Sequence, residues 1–129
     1  MSIRRIVPNI ASTDPDLCRA FYVDFLGLEA AMDMGWIATY ASPRNPTAQI
    51  SVVRAGDSDA AQPAISIEVE DVDRVHAEAV AQGVRVVYPL TDEPWGARRF
   101  WVEDPNGVVV NILSHSPAER RPLGEGDRP

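Results

Sequence analysis

The sequence predicts an α+β fold in which one strand–helix–strand–strand–strand pattern, βαβββ, occurs twice in tandem. Two predicted helices begin at Asp14 and Asp71, which stand 57 positions apart. A strand-like segment precedes each helix. Gly27 follows Asp14 by 13 positions and Gly83 follows Asp71 by 12, and each glycine is predicted to end its helix. Three further strand-like segments follow each helix. The repeat indicates the order of elements, whereas periodicity alone leaves the topology open.

The first module opens with a predicted strand over residues 5–11, in which Pro8 indicates an edge position or a bulge. Asp14 is the predicted N-cap of the first helix, because Pro15 then takes the first helical position. A four-residue spacing places three large apolar side chains on one face of this helix: Leu17, Phe21 and Phe25. Three strands are predicted next, over residues 28–32, 36–41 and 49–54.

The second module follows a predicted linker over residues 56–62. Its first strand, residues 64–69, alternates apolar with small or polar side chains, as a half-buried strand does. Asp71 caps a helix with an apolar stripe formed by Val72, Val75, Ala79 and Val80. Strands are predicted over 84–88, 98–103 and 108–113, the last two joined by the hairpin turn Asp104-Pro105-Asn106-Gly107. We therefore predict one domain over residues 1–114, with modules over about 4–56 and 63–114 and a flexible tail over 115–129.

The composition is that of an ordinary globular domain and argues against two classes of partner. The 129 residues are 45% hydrophobic and 24% charged, with a net charge of −7. No basic stripe is present to neutralise phosphates, so nucleic-acid binding is not expected. No apolar run approaches the length of a membrane span and the N-terminus lacks a signal-peptide core, so we expect a cytoplasmic protein that does not bind a membrane. The single Cys18 agrees with a reducing compartment and is interpreted as a small buried hydrophobe.

Four short motifs occur in an order shared with a known family. The first module carries Asp14, then Phe21-Tyr22 and Leu26-Gly27-Leu28, and the second begins its helix with Val69-Glu70-Asp71-Val72-Asp73. The most specific stretch is Pro94-Trp95-Gly96 followed by Phe100-Trp101-Val102-Glu103-Asp104-Pro105-Asn106-Gly107. Together they resemble the vicinal oxygen chelate superfamily of glyoxalases, bleomycin-resistance proteins and extradiol dioxygenases, over roughly residues 4–114. The resemblance implies a glyoxalase/bleomycin-resistance-like fold, in which the two modules form a cupped mixed sheet around a small-molecule site.

The resemblance also implies where metal-dependent relatives would hold a divalent ion. Their first strands supply a His, and the matching positions here are Val7 and Ala64. Their last strands supply a Glu, and the matching positions are Ser51 and Asn111. Neither an alkyl group nor a neutral hydroxyl or amide is a strong ligand for a transition metal. We therefore expect these four metal positions to be vacant and the protein to use no cofactor.

The cup implied by the resemblance would be lined by alternate side chains of the strands, with aromatic walls and a few polar groups. The predicted ligand-binding residues are Asn9, Trp36, Tyr40, Gln49, Ser51, Ser66, Glu68, Trp95, Trp101 and Asn111. Trp95 would stand at the rim, and ordinary core packing is the alternative for the other aromatic residues. The two histidines, His76 on the second helix and His115 at the edge of the tail, are not expected to form a ligand pair.

Glu68 is a weak candidate for a catalytic group, because it is a carboxylate predicted to face the cup. It could serve as a general base with a pKa raised by desolvation, pair with an arginine, or face solvent at a strand end. The catalytic residues are otherwise unknown.

Two main functions follow from these observations, and a structural or regulatory role, in which the cup is only a packed core, is left as a third. The first is a metal-free small-molecule-binding protein of the bleomycin-resistance type, a homodimer that sequesters an antibiotic or an aromatic metabolite. The net charge of −7 favours a cationic ligand or reflects solubility alone. The alternative is a lyase, isomerase or dioxygenase of the same superfamily acting on a small molecule.

Overall fold

The computed structural model describes residues 2–55 and 62–115, and these fall into two compact units. One unit contains residues 7–55, and the other contains residues 2–6 together with residues 62–115. Each unit contains one helical segment and the strands of one predicted repeat, so the repeated βαβββ order is confirmed. The predicted linker and tail lie almost wholly outside the described residues.

The first module contains four strands and one helical segment. Strand β1 spans Ile3–Ser12 and enters this module at Val7, and it is followed by helix α1 over Pro15–Arg19, which continues as a π-helix over Ala20–Phe25. The remaining strands are β2 (Glu29–Asp33), β3 (Ile37–Ala41) and β4 (Gln49–Arg54). Within the module the strand order is β2-β3-β4-β1, with β1 parallel to β4 and the other pairs antiparallel.

The apolar face that the sequence predicts for α1 does not pack on the sheet. Leu17, Phe21 and Phe25 are exposed by 69%, 50% and 72%, and the rings of Phe21 and Phe25 contact each other. Other side chains of this helical segment pack on a core of Ala38, Tyr40 and Val52, namely Cys18, Tyr22 and Val23. Two apolar stripes run side by side on this helix, and the stripe with Tyr22 is selected because its ring stacks on Tyr40.

The second module contains β5 (Ile65–Val69), helix α2 (Val72–Ala81), β6 (Val86–Asp92), β7 (Ala97–Glu103) and β8 (Val109–His115). Its strand order is β5-β8-β7-β6, with β5 parallel to β8 and the other pairs antiparallel. Asp71 caps α2 by accepting the N–H of Arg74, as predicted, and Gly83 ends the helix with a φ of +71°. Strand β6 begins two residues later than predicted, and His115 is the last residue of β8 rather than the first of a tail.

The core of the second module lies between α2 and one face of its sheet. Val72, Val75 and Ala79 of the helix pack on Phe100 and Val102 of β7, with further apolar side chains from the other three strands. Burying these side chains between two layers stabilises the module and leaves the opposite face of the sheet for other contacts.

Candidate functional site

The face of the second module's sheet that is turned away from α2 carries polar and aromatic side chains. Ile67, Ile112 and Phe100 pack under α2, and successive side chains of a strand point to opposite faces. The residues that alternate with them therefore point away from the helix: Ser66, Glu68, Arg99, Trp101, Asn111 and His115. We call this surface the outer face of the second module.

A continuous row of side chains crosses the outer face. Ser66 pairs in register with Asn111, Asn111 with Trp101, and Trp101 with Tyr88. Asn111 Nδ2 donates to Ser66 Oγ over 3.1 Å, and the rings of Tyr88 and Trp101 stack with centroids 4.6 Å apart. The row thus changes from two small polar groups on β5 and β8 to a stacked aromatic pair on β7 and β6.

An arginine fills a box of three aromatic rings beside this row. The guanidinium carbon of Arg99 lies 5.2 Å from the ring centroid of Tyr88 and 5.1 Å from those of Trp95 and Trp101. Its Nη2 lies 2.6 Å from Oε2 of Glu93, and the Tyr88 hydroxyl donates to the same carboxylate. Cation–π contacts and an ion pair therefore hold this guanidinium from several sides.

Three enclosed polar atoms of this region have no hydrogen-bond partner among residues 2–55 and 62–115. They are Arg99 Nε, Trp101 Nε1 and Asn111 Oδ1. An enclosed polar atom that bonds to neither protein nor water is costly, so such atoms indicate where a ligand could bind. Exchanging the oxygen and nitrogen of the Asn111 amide still leaves one of them unpaired, because Ser66 contacts only one.

Glu68 lies on the same face in a buried cluster of charges. Its Oε1 lies 2.7 Å from Arg5 Nε and its Oε2 lies 2.9 Å from His115 Nδ1, while Arg4 approaches to 3.8 Å. Burial opposes ionisation of the carboxyl, but the hydrogen bond with His115 and the charges of Arg5, His115 and Arg4 outweigh it and lower the pKa of Glu68. Of the alternatives that the sequence leaves open for Glu68, the structure shows pairing with an arginine.

The first module has a corresponding row, in which two of the polar side chains are hydrogen-bonded to each other. Asn9 pairs in register with Ser51, and Ser51 pairs with Thr39, as Ser66, Asn111 and Trp101 do in the second module. The hydroxyl oxygens of Ser51 and Thr39 lie 2.8 Å apart, and both side chains are fully buried. In this row Thr39 takes the place of Trp101, and Met32 takes the place of Tyr88.

The four positions that the family resemblance assigns to metal ligands do not fit a divalent metal ion. Val7 is a buried alkyl side chain and Ala64 precedes β5 at an exposed position. The hydroxyl of Ser51 and the amide of Asn111 are neutral and are bonded to neighbouring side chains. In the described part of the chain, no three His, Cys, Asp or Glu side chains are grouped to hold a metal.

The other predicted ligand-binding residues lie in different surroundings. Tyr40 is buried against Tyr22 on the helix side of its sheet, so core packing describes it. Trp36 is 43% exposed before β3, and Gln49 donates from Nε2 to the carbonyl of Pro46. Trp95 is half-buried against Arg99. The structure therefore brings together Ser66, Trp95, Trp101 and Asn111 within one module.

Sequence reasoning missed four residues of this face: Tyr88, Glu93, Arg99 and His115. Arg99 carries the one available signal, because it alternates with Trp101 along a predicted strand. Tyr88 faces Trp101 only because β6 is irregular on both sides of that residue, which no local pattern indicates. His76, the other histidine, packs edge-to-face on Phe100 on the helix side of the sheet.

A cavity of about 1360 Å³ lies at the end of the second module where β5 leads into α2, and its wall includes Glu93 and His115. Many of its lining side chains are acidic or basic. Arg98 is already paired with Asp73 and Asp92, and its hydrogen bond to Asp73 lowers the pKa of that carboxyl. The cavity does not include Trp101 or Asn111. We therefore place the candidate site on the outer face.

In the part of the chain that the structure covers, no helix is long and apolar enough to cross a membrane. No curated protein sequence matches the chain. Solved structures share its fold at low sequence identity. A hypothetical protein from Bacillus halodurans C-125 is 19% identical with a TM-score of 0.72, over 90% of this chain and 96% of that one. A glyoxalase/bleomycin resistance protein/dioxygenase superfamily member from Vibrio splendidus 12B01 is 15% identical with a TM-score of 0.67, over 88% and 99%.

An extradiol ring-cleaving dioxygenase from Brevibacterium fuscum is 23% identical with a TM-score of 0.66. The match covers 89% of this chain but only 33% of the dioxygenase, so this chain resembles one part of that enzyme. The model of one protein family matches residues 3–112, which is most of the chain. The predicted α+β fold is thus confirmed, and the chain belongs to the Glyoxalase/Bleomycin resistance protein/Dioxygenase superfamily.

Proposed function

We propose that this protein binds a small organic molecule on the outer face of its second module and does so without a metal ion. The observation that carries the proposal is the row in which the stacked rings of Tyr88 and Trp101 adjoin the unpaired amide oxygen of Asn111. Flat apolar surface beside a few unsatisfied polar atoms is typical of sites for small aromatic molecules. An antibiotic or an aromatic metabolite is the proposed class of ligand.

The chemistry of the side chains supports binding rather than metal-dependent turnover. Ser51 offers a hydroxyl that is already bonded to Thr39, Asn111 offers a neutral amide oxygen, and Val7 and Ala64 offer no donor atom. Such a set is a poor match for a catalytic transition metal, which favours imidazole and carboxylate ligands.

The test measures the melting temperature of the protein with a panel of aromatic metabolites and antibiotics, and separately with Mn²⁺, Fe²⁺, Ni²⁺ and Zn²⁺. A ligand that binds only the folded state stabilises it by about 2.7 kcal/mol at a hundredfold excess over its Kd. We expect an organic compound to raise the melting temperature and Trp101→Ala to abolish that rise. Trp36→Ala is the matched control, because Trp36 lies exposed in the other module. Stoichiometric metal binding would contradict the proposal. So would an equal loss, in Trp101→Ala and Trp36→Ala, of the rise in melting temperature that the ligand causes.

We also propose that the protein is cytoplasmic and that it is a homodimer, as the family resemblance implies for the oligomeric state. Sedimentation equilibrium across a range of protein concentrations tests the oligomeric state. A single species with the mass of one chain at all concentrations would refute the dimer.

A second candidate function is proton transfer, and the contact of 2.9 Å between Glu68 and His115 favours it. A carboxylate bonded to Nδ1 of an imidazole orients the ring and can prepare Nε2 to accept a proton. Arg5 engages the same carboxylate, however, and gives the cluster an obvious structural role. Turnover of the identified ligand that disappears in His115→Gln while binding persists would favour the enzyme; binding without turnover favours sequestration.

A further inference from the structure

We infer that Arg99 makes the site selective for planar ligands that are neutral or anionic and carry a hydrogen-bond acceptor, and that it excludes cations. This inference rests on the proposed binding function, and it names the chemistry of the ligand. Three independent observations carry it: the filled aromatic box, the neutralised carboxylate, and the unpaired donors of the same region.

The aromatic box already holds a cation. Three ring centroids lie 5.1–5.2 Å from the guanidinium carbon of Arg99, which is within the range of a cation–π contact. A ligand cation would therefore compete with an attached guanidinium for the same ring faces. Because the arginine belongs to the chain, it does not diffuse away and its local concentration stays high.

The carboxylate beside the box is also occupied. Glu93 is 2.6 Å from Arg99 Nη2 and accepts the hydroxyl of Tyr88, so it offers little attraction to a second positive charge. The chain carries a net charge of −7, which would favour cations at long range. At this site the local contacts oppose that tendency, because a ligand with a positive charge would lie beside the positive charge of Arg99.

The unpaired polar atoms of the region are mainly donors. Arg99 Nε and Trp101 Nε1 each carry one N–H without a partner in the described residues, and Asn111 presents one unpaired amide atom. A carbonyl or carboxylate oxygen satisfies an N–H, whereas a cation such as an amidinium offers only further donors. The atoms are enclosed, so a ligand reaches them only when neighbouring side chains move. An acceptor then replaces a missing hydrogen bond, which favours its binding.

Three probes of the same shape test this selectivity: benzamide, benzoate and benzamidine. They differ in charge and in the balance of donors and acceptors, but all are flat and can stack on Tyr88 or Trp101. Isothermal titration of the wild-type protein is expected to show benzamide or benzoate binding at least tenfold more tightly than benzamidine. Benzamidine binding as tightly as the other two, or more tightly, would overturn the inference while leaving the binding site in place.

Substitution of the arginine gives the converse test. Arg99→Met keeps an unbranched side chain but removes the charge, so Glu93 and the aromatic box become available to a cation. We expect benzamidine to gain at least tenfold in affinity relative to benzoate, and methylguanidinium to raise the melting temperature of this variant but not that of the wild type. Arg98→Met is the matched control, because Arg98 pairs with Asp73 and Asp92 elsewhere in the module.

A variant that keeps the box intact guards against misfolding of Arg99→Met. Trp101→Phe retains a ring but removes the indole N–H, and we expect the preference for benzamide over benzamidine to shrink at least threefold. An unchanged preference in both Trp101→Phe and Arg99→Met would overturn the inference. If none of the three probes binds the wild type at millimolar concentration, the proposed site itself fails and the inference falls with it.

Discussion

Replacing Glu68 by Gln is expected to destabilise the protein strongly, because it removes a carboxylate that pairs with a buried arginine. The Arg5 side chain is only 2% exposed and that of Glu68 11%, with a closest N–O distance of 2.7 Å. Gln has the same length and keeps a hydrogen-bonding oxygen, so the change removes charge with little change in volume. The substitution therefore isolates the electrostatic contribution of this cluster.

Breaking a buried ion pair by removing one partner costs about 3–5 kcal/mol, since the remaining charge stays desolvated. For a chain of this size we expect a melting temperature roughly 10–20 °C lower than that of the wild type. Urea unfolding followed by circular dichroism measures the free energy of unfolding directly. The matched control is Glu103→Gln, since Glu103 and Arg85 form a more exposed pair at 3.8 Å, and the expected cost there is below about 1 kcal/mol.

The pH dependence gives a second, independent check on the same substitution. The pKa of Glu68 is lower in the folded protein than its ordinary value of 4.5, so its stabilising contribution is fully present above pH 4.5. That contribution is lost as the pH falls through the folded-state pKa. We therefore expect the difference in free energy of unfolding between the wild type and Glu68→Gln to become smaller below pH 4.5. Two outcomes would contradict this reasoning. In one, the free energies of unfolding of Glu68→Gln and Glu103→Gln differ by less than about 1 kcal/mol at pH 7. In the other, the difference in free energy of unfolding between the wild type and Glu68→Gln does not change with pH.

Three further predictions concern local structure. Ser114→Ala is expected to cost about 1–3 kcal/mol in urea unfolding, because the buried Ser114 hydroxyl accepts the N–H of Val72 and donates to the carbonyl of Val69; a loss below 0.5 kcal/mol would contradict this. Asp71→Ala, which removes the N-cap of α2, should cost about 1 kcal/mol, and an unchanged denaturation midpoint would refute the cap. Phe25→Ser should change the free energy of unfolding by less than about 0.5 kcal/mol, because Phe25 is 72% exposed; a large loss would show that this ring is buried in solution.

Much of the fold could be predicted because its signals are local. Strand β4 has the predicted bounds, and the buried residues Val72, Val75 and Ala79 of α2 follow the predicted stripe. Alternation along β5 and β8 likewise put Ser66 and Asn111 on the face opposite the helix. Helix α1 was harder, because two adjacent apolar stripes compete on a short segment. Only the contact between Tyr22 and Tyr40, which are far apart in sequence, decides which stripe is buried.

The charged cluster and the aromatic box could not be predicted, because each depends on non-local pairing. Arg5, Glu68 and His115 come from three strands that are widely separated in sequence, and no local pattern relates them. The box requires Tyr88 to lie opposite Trp101, which follows from the irregular register of β6. These are the features that carry the candidate site, so the chemistry that it offers could not be predicted from the sequence alone.

The two modules differ in how equivalent rows of their sheets satisfy their polar groups, and their shared topology does not require this difference. Equivalent rows hold Asn9, Ser51 and Thr39 in one module and Ser66, Asn111 and Trp101 in the other. In the first row two hydroxyls satisfy each other, and substituting either is expected to affect folding. In the second row the amide oxygen of Asn111 and the indole N–H of Trp101 have no hydrogen-bond partner among the described residues, which lowers stability unless a ligand supplies one. Among the described residues this cost falls on the second row and not on the first, and this difference supports the binding site that we propose for the second module.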